Sequence, residues 1–221
     1  NLDPLARAGG VSHKCFIDIA GQPMLRRVVG EVMASPRVGR TIVAIEPDSM
    51  AEAREILAAL PNADSIEYVA SRENIGTSVS AVARNTDLPL VITTGDNALH
   101  TAEMVTFFCD ALDNIAEDGA LGLTPAQSVL DKYPEGNRAF HRFRDGAYSS
   151  CNLYAILTPR GLDGARVFNS GGQFGKKPRR LIGAFGLFAF LLYKSRLFTL
   201  RTVVRTLSRG IGVRTAAGVV P

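Results

Sequence analysis

The chain has 221 residues, of which 46% are hydrophobic and 21% charged, with a formal net charge of +4 and no Trp. Those values exclude a disordered, collagenous or coiled-coil chain, and the length suits one α/β domain or one domain with a short appendage. The charge is unevenly spread. Residues 1–159 carry 13 Lys/Arg against 20 Asp/Glu, a net of −7, and residues 160–221 carry 12 against the single acid Asp163, a net of +11. A basic final quarter calls for phosphates, acidic lipid, nucleic acid or a partner. Three Cys (Cys15, Cys109, Cys151) are too few and too scattered for a disulfide framework or the usual zinc spacings, and a reducing, cytoplasmic location is expected. The opening Asn-Leu-Asp-Pro has neither a secretory pattern nor an initiator Met, so a processed or unobserved start is expected.

Leu5-Ala-Arg-Ala-Gly-Gly-Val-Ser-His-Lys14 is a Gly-containing segment ending in a cation. Amides freed at Gly9 and Gly10, with Lys14 nearby, suit a phosphate cradle, although the spacing is not that of a P-loop. Gly21-Gln22-Pro23 then starts a helix with Pro in its first turn. Thr41–Glu46 is a short β-branched run and predicts a buried strand. A helix follows from Pro47-Asp48-Ser49 to about Leu60, with Met50, Ala53, Ile56, Leu57 and Leu60 on one face.

Ile66–Ala70 is a second strand. Glu73-Asn-Ile-Gly-Thr-Ser-Val-Ser80 opens a helix after Gly76. Gly76, Thr77 and Ser78 offer amides and hydroxyls to a base or phosphate, or form an ordinary cap. Leu88–Thr94 is a third strand, stopped by Gly95-Asp96-Asn97. That places the Asp96 carboxylate at the carboxyl edge of a parallel sheet, where open α/β folds bind ligands. One such carboxylate holds a hard cation together with nucleotide phosphates, or simply caps a turn. Thr101 is a plausible N-cap for a helix to Ala116, and Ala120–Thr124 is another strand.

After residue 139 the alternation changes. Ala139–Arg144 and Tyr148–Leu157 flank Asp145-Gly146 and predict a hairpin added to the edge of the sheet. A Gly-rich loop leads to Lys176-Lys177-Pro178-Arg179-Arg180. The uncharged run Leu181–Tyr193 is shorter than the roughly 20 residues a membrane span needs, and a buried helix is the leading expectation, with an interfacial helix as the alternative. Thr199–Gly210 reads as an amphipathic helix, with Leu200, Val203, Val204 and Leu207 on one face and Arg201, Arg205 and Arg209 on another. No aromatic-basic motif of nucleic-acid binding is present, so nucleic acid is not an expected partner.

Together, the Gly-rich segment with Lys14, Ile-Ala-Gly-Gln-Pro-Met-Leu25, Gly-Thr-Ser-Val79 and a strand ending in Gly-Asp-Asn97 resemble the MobA-like nucleotidyltransferases over roughly residues 1–160. This family includes molybdenum cofactor guanylyltransferases and related sugar- or alcohol-phosphate nucleotidyltransferases. The resemblance implies a three-layer α/β/α fold of the GT-A kind with a mainly parallel sheet. The nucleotidyltransferase domain would span 1–168 and a basic helical appendage 169–221.

It also implies Mg²⁺-dependent transfer of GMP or CMP from an NTP, GTP ahead of CTP, to a phosphorylated small-molecule or lipid-like acceptor, with release of pyrophosphate. By position Lys14 would contact the triphosphate and Asp96 would ligate Mg²⁺. Gly9, Gly10, Gly76, Thr77, Ser78, Thr94, Gly95 and Asn97 would line the nucleotide, and Arg138 and Asn152 the acceptor. Lys176 and Lys177 lie beyond the resemblance, and their basic run is read as holding the acceptor's phosphate or an anionic lipid head group, or as a solvated loop.

Two departures from the family pattern stand out. The usual opening strand with its Leu-Ala-Gly-Gly would lie upstream of Asn1. A second metal carboxylate would lie beyond Pro221, or be Asp163, or be dispensable, and the first of these is favoured. If both absences are real, a catalytically degenerate nucleotide-binding relative is the alternative. The basic quarter also leaves open a peripheral contact with a membrane surface.

Overall fold

Residues 3–136, 138–165 and 178–220 are described in the computed structural model of the chain. In chain order its elements are α1 (Pro4–Ala8), β1 (Asp18–Ile19), β2 (Gln22–Pro23), α2 (Met24–Ala34), β3 (Thr41–Ile45), α3 (Met50–Leu57), β4 (Ile66–Ala70), α4 (Ile75–Ala83), β5 (Leu90–Ile92), α5 (Ala102–Leu112), β6 (Gly119–Pro125), α6 (Ala126–Lys132), β7 (His141–Phe143), β8 (Gly146–Ile156), α7 (Leu162–Ala165), α8 (Pro178–Ser195), α9 (Leu200–Gly210) and β9 (Thr215–Val219). Two compact units contain them, the first made of residues 1–72 and 93–110, the second of 73–92 and 111–221.

In the first unit, β3 and β4 pair in parallel from Thr41 opposite Ile66 to Ile45 opposite Ala70. Their β-branched residues supply Val43, Ile45 and Ile66 to a core shared with Phe16, Leu25, Val29, Ala53 and Leu57. Ala53 and Leu57 are the buried pair of the predicted α3 face, with Met50, Ile56 and Leu60 packed around them. Pro23 is the residue before α2 and pairs across a tight hairpin with Asp18, so it directs the chain into the helix from outside its first turn. The 93–110 segment is tied on by three side-chain contacts. Glu31 accepts from the Ala102 amide at 2.8 Å, Ser35 Oγ meets Thr106 Oγ1 at 2.8 Å, and Arg37 pairs with Asp110 at 3.4 Å.

The second unit is built on a sheet in the order β5-β8-β6-β9, with β7 also paired to β8. The predicted 139–157 hairpin exists, but its second strand is not at an edge. β8 is antiparallel to β5 on one side and to β6 on the other, while β9 runs parallel to β6. The sheet is therefore mixed, which corrects the expectation of a mainly parallel one. At 11 residues β8 is long enough to be paired along both sides, and Ser149, Cys151, Leu153 and Ala155 are buried at every second position, as one face of a strand requires.

The tail carries two helices and a strand. α9 is capped by Thr199, whose hydroxyl accepts from the Thr202 amide, and packs Leu200 and Val204 against Leu123 of β6 and its neighbours, with Val203 also buried and the Arg stripe exposed. The C-terminal helices expected from the sequence are thus present as α8 and α9, and β9, which the sequence reading did not include, follows them and joins the sheet beside β6. The predicted buried helix at Leu181–Tyr193 is interrupted at Gly186, where φ 86° and ψ 161° are open only to glycine. Beyond this break Leu187, Phe188 and Leu191 are exposed and only Ala189 is fully buried, which corrects the buried reading. Among the described residues no helix is long and apolar enough to cross a membrane.

One buried acid locks β9 to β6. Asp118 accepts from the Arg214 amide (3.0 Å), Arg214 Nε (3.3 Å) and Thr158 Oγ1 (2.9 Å). The Arg214 amide chiefly, with the Arg214 and Thr158 side chains, holds its pKa below the ordinary 3.8 against the opposing effect of burial. A depressed folded-state pKa means stabilisation that is full above the unfolded value and fades as pH falls through the folded one. Asp118→Asn is expected to cost roughly 1–3 kcal/mol at neutral pH, the scale of a lost charged hydrogen bond. In urea unfolding measured from pH 7 downward, the gap to wild type should close below about pH 4, as the wild-type carboxyl protonates.

Candidate active site

Lys14 opens a 3-10 turn, Lys14–Phe16, closed by the Phe16 amide on the His13 carbonyl at 3.0 Å. Phe16 is buried in the first unit's core, which fixes the turn and leaves Lys14 projecting from it. Preceding it, His13 Nε2 lies 3.0 Å from Glu46 Oε2, and His13 Nδ1 lies 3.0 Å from Ser12 Oγ and 3.3 Å from Ser49 Oγ. The backbone that carries Lys14 is thereby held from both sides.

Lys14 Nζ donates to Asp96 Oδ2 at 2.7 Å, and both side chains are about one-third exposed. The other carboxylate oxygen, Oδ1, accepts from Thr94 Oγ1 at 2.6 Å. Asn97 Nδ2 in turn donates to Thr94 Oγ1 at 2.8 Å, to the Thr94 carbonyl at 3.0 Å and to Thr93 Oγ1 at 3.2 Å. A relay of amide, hydroxyl and carboxylate therefore orients Asp96. Partial burial pushes the Asp96 pKa up, but hydrogen bonds from Lys14 and Thr94 and the Lys14 charge outweigh it, so the group sits below 3.8 and is ionised at neutral pH. Gly95 keeps the loop close to the Lys14 turn: a Cβ there would stand 3.0 Å from Leu25 Cδ1 and 3.4 Å from Cys15 Cβ. Burial raises the neighbouring Cys15 thiol to about 11, which leaves it protonated and unreactive.

Lys14, Thr94, Gly95, Asp96 and Asn97 thus come together as predicted positions. Gly9 and Gly10 do not act as the expected amide cradle. Their amides donate to the Leu5 and Arg7 carbonyls at 2.9 and 3.2 Å and close the end of α1. The sequence reading passed over His13, Glu46 and Ser49. Glu46 follows the carboxyl end of a strand, as Asp96 does, and that was the available signal.

The second unit holds the predicted residues Gly76, Thr77, Ser78, Arg138 and Asn152. Gly76, Thr77 and Ser78 lie in the first turn of α4, capped by Asn74. Asn74 Oδ1 accepts from the Thr77 amide at 2.9 Å, and the Thr77 and Ser78 hydroxyls donate to the Asn74 carbonyl at 3.0 and 2.8 Å. Those hydroxyls are engaged in the cap, which is the second of the two readings the sequence allows.

Asn152 sits in an irregularity of β8. Tyr154 faces Leu121 and Ser150 faces Leu123, so four steps along β8 match two along β6. The extra residues bulge out, and Asn152 takes φ 54° within them, a left-handed conformation that Asn tolerates better than most residues. Ser150 Oγ donates to Asn152 Oδ1 at 3.3 Å. Arg138 brackets the same stretch, its Nε donating to Ser149 Oγ and its Nη2 to the Ser150 carbonyl, both at 2.8 Å. The bulge exists because β6 offers Gly122 beneath it: a Cβ there would stand 2.7 Å from Cys151 Sγ and 3.1 Å from Leu153 Cβ. Lys176 and Lys177 lie outside the described residues.

Asp96 was the candidate metal ligand. Among the described residues no group of three His, Cys, Asp or Glu is placed to hold an ion. A single oriented carboxylate fits a hard cation that arrives with phosphate oxygens and waters in its shell, and does not fit a cation held by protein ligands alone.

The family model "IspD: 2-C-methyl-D-erythritol 4-phosphate cytidylyltransferase" matches residues 6–172. The matching model is of a cytidylyltransferase, where the motifs resemble the MobA-like nucleotidyltransferases. No curated protein matches. Among solved structures, a hypothetical transferase from Thermus thermophilus aligns with a TM-score of 0.78 at 20% identity, covering 100% of this chain and 89% of its own. A 4-diphosphocytidyl-2C-methyl-D-erythritol synthase from Anaerococcus prevotii aligns with a TM-score of 0.55 at 11% identity, covering 95% and 82%. A CMP:2-keto-3-deoxy-manno-octonic acid synthetase complexed with CTP aligns with a TM-score of 0.57 at 14% identity, covering 95% and 84%. At these identities the likeness is one of fold.

The Gly122 contact gives a test of the bulge. Gly122→Ala is expected to lose about 1–3 kcal/mol by overpacking. Cys151→Ala in that background should restore part of it by removing the nearest atom, seen as non-additive free energies in urea unfolding.

Proposed function

The chain belongs to the IspD (2-C-methyl-D-erythritol 4-phosphate cytidylyltransferase) family of nucleotidyltransferases, and from that premise we propose that it transfers CMP from CTP to a phosphorylated small-molecule acceptor and releases pyrophosphate. The observation that carries the reading is the Lys14–Asp96 centre: a cation on an anchored turn and an oriented, ionised carboxylate, 2.7 Å apart. Nucleotidyl transfer depends on positioning and charge neutralisation rather than on a covalent enzyme intermediate.

In the proposed reaction an oxygen of the acceptor phosphate attacks the α-phosphorus of CTP. A new P–O–P link forms, the bond between the α-phosphorus and the α,β-bridging oxygen breaks, and pyrophosphate leaves with the electron pair. A phosphate monoester is largely dianionic at pH 7, so the attacking oxygen has no proton to lose. Lys14 turns from Asp96 to the triphosphate and offsets the charge that grows on the leaving group. Asp96, released from its ion pair, is the residue that would hold Mg²⁺ entering with the nucleotide. Bound there, the ion supplies further charge neutralisation on the phosphate oxygens. Thr94 and Asn97 keep the carboxylate aimed, and act as positioning residues. Asn152, presented by the β8 bulge, and Arg138 contact the acceptor in this reading, and Lys176 and Lys177 are proposed to contact its phosphate.

The family description favours cytosine as the base over the guanine that the MobA-like resemblance put first. The decisive assay offers each NTP with Mg²⁺ and a panel of phosphorylated polyols and sugars, and reads pyrophosphate release. We expect turnover with CTP that chelation abolishes. Asp96→Asn and Lys14→Met should each lower kcat by about 10²–10³-fold, the scale of one lost charge-stabilising group, with the unfolding curve of Asp96→Asn close to wild type and that of Lys14→Met shifted to lower stability by the unpaired carboxylate. Preference for GTP would restore the MobA-like assignment. Nucleotide binding without turnover across the panel would mark a degenerate relative, and unchanged rates in Asp96→Asn would remove that residue from the metal site.

A further inference from the structure

The outward face of α8 has no place in the reaction above. Past the break at Gly186, Leu187, Phe188 and Leu191 are 58, 73 and 56% exposed, and Leu197 just beyond the helix is 68% exposed. At 100° per residue, positions 187, 188, 191 and 194 fall within an arc of about 120°. The opposite side is the one that packs: Ala189 is buried, and Tyr193 bonds His141 Nδ1 through its hydroxyl at 2.7 Å and meets the Phe143 ring edge-on. This helix is amphipathic the wrong way round for a surface element, with its apolar arc turned to solvent and Lys194 at the end of that arc.

Its surroundings specify an occupant. Every charged residue from 178 to 220 is Lys or Arg. Lys194, Arg196 and Arg201 are exposed next to the apolar side chains, and the Arg205 and Arg209 side of α9 is exposed as well. A second copy of the chain would bring this cationic surface against itself. The few exposed apolar side chains also fall well short of the roughly 20–30 residues that each side of a standard protein interface uses. An anionic bilayer surface meets both requirements, since apolar side chains enter the headgroup–acyl boundary while cations stay among the lipid phosphates.

We propose that residues 187–201 form a docking surface for anionic membrane lipid, laying the second half of α8 along the bilayer surface without crossing it. The contact is peripheral and independent of the chemistry at Lys14 and Asp96.

Co-sedimentation of the full chain with vesicles tests this. The protein should pellet with phosphatidylcholine vesicles containing phosphatidylglycerol and stay in solution with phosphatidylcholine alone. Phe188→Ser with Leu191→Ser should weaken binding at least about tenfold, from the apolar burial lost. Lys194→Gln with Arg196→Gln should weaken it about 25-fold, at about fivefold per cation, and raised salt should mimic that effect. Circular dichroism and pyrophosphate release with a soluble acceptor should match wild type in both variants. Failure of the wild-type chain to bind anionic vesicles at low salt, or variants that bind as wild type does, would overturn the proposal. So would a concentration-dependent dimer in light scattering that Phe188→Ser with Leu191→Ser dissolves, which would assign the face to a second copy.

Discussion

The ion pair between Lys14 and Asp96 joins two segments 82 residues apart in sequence. Each end is held by something rigid. Lys14 rides a turn pinned by the buried Phe16 and by the His13–Glu46 contact. Asp96 is aimed by Thr94, which Asn97 orients in turn. A half-buried carboxylate without its cation would bear a desolvation cost that its remaining hydrogen bonds offset only in part. The pair therefore keeps the centre neutral at rest. Under the proposed reaction an incoming triphosphate takes Lys14 away from Asp96, and the carboxylate then needs a new cation, which is the electrostatic reason for nucleotide and metal to arrive together.

The second unit solves a different problem. In the proposed reaction Asn152 has to reach the acceptor from a strand paired on both sides, where regular pairing commits the backbone groups to the ladder. The extra residues of β8 break its pairing with β6 at Asn152 while the alternate burial continues, at the cost of a left-handed backbone and of close packing over Gly122. Arg138 supports the stretch by bonding the two serines that precede the bulge. Backbone strain, a close-packed glycine and a bracketing cation meet at this one place, and that concentration is what supports reading Asn152 as a positioned side chain in the proposed reaction.

Much of this was legible in the sequence, and the failures have physical causes. β3, α3, β4 and α9 were read correctly because their apolar spacing and their packing agree. Asp96 and Lys14 were found because a carboxylate after an apolar strand and a Lys beside glycines are local patterns. The role of Gly9 and Gly10 was not legible, because a helix end and a phosphate cradle use glycine in the same way, and only the acceptors of their amides tell them apart. β9 went unseen: Thr-Ala-Ala-Gly-Val has little strand character and is held by backbone pairing to β6 and by the Asp118–Arg214 lock, 96 residues apart in sequence. The position of β8 inside its sheet could not be read either, since a hairpin looks the same in sequence at an edge or in the middle.

The charge split of the chain has a physical logic under these readings. The unit that holds Lys14 and Asp96, residues 1–72 and 93–110, carries 8 Lys/Arg against 12 Asp/Glu, a net of −4, and its own field would repel a polyphosphate. Binding must then rest on short-range contacts at a few cations, and this is what an anchored Lys14 provides. It also favours release of pyrophosphate, which leaves as a polyanion through a field that pushes it outward. The basic tail works in the opposite sense. Its cations are spread over exposed helix faces and are not paired at a point, an arrangement suited to a surface that is itself diffusely negative. One chain thus keeps its positive charge concentrated where a small anion must be held and distributed where an extended one must be met.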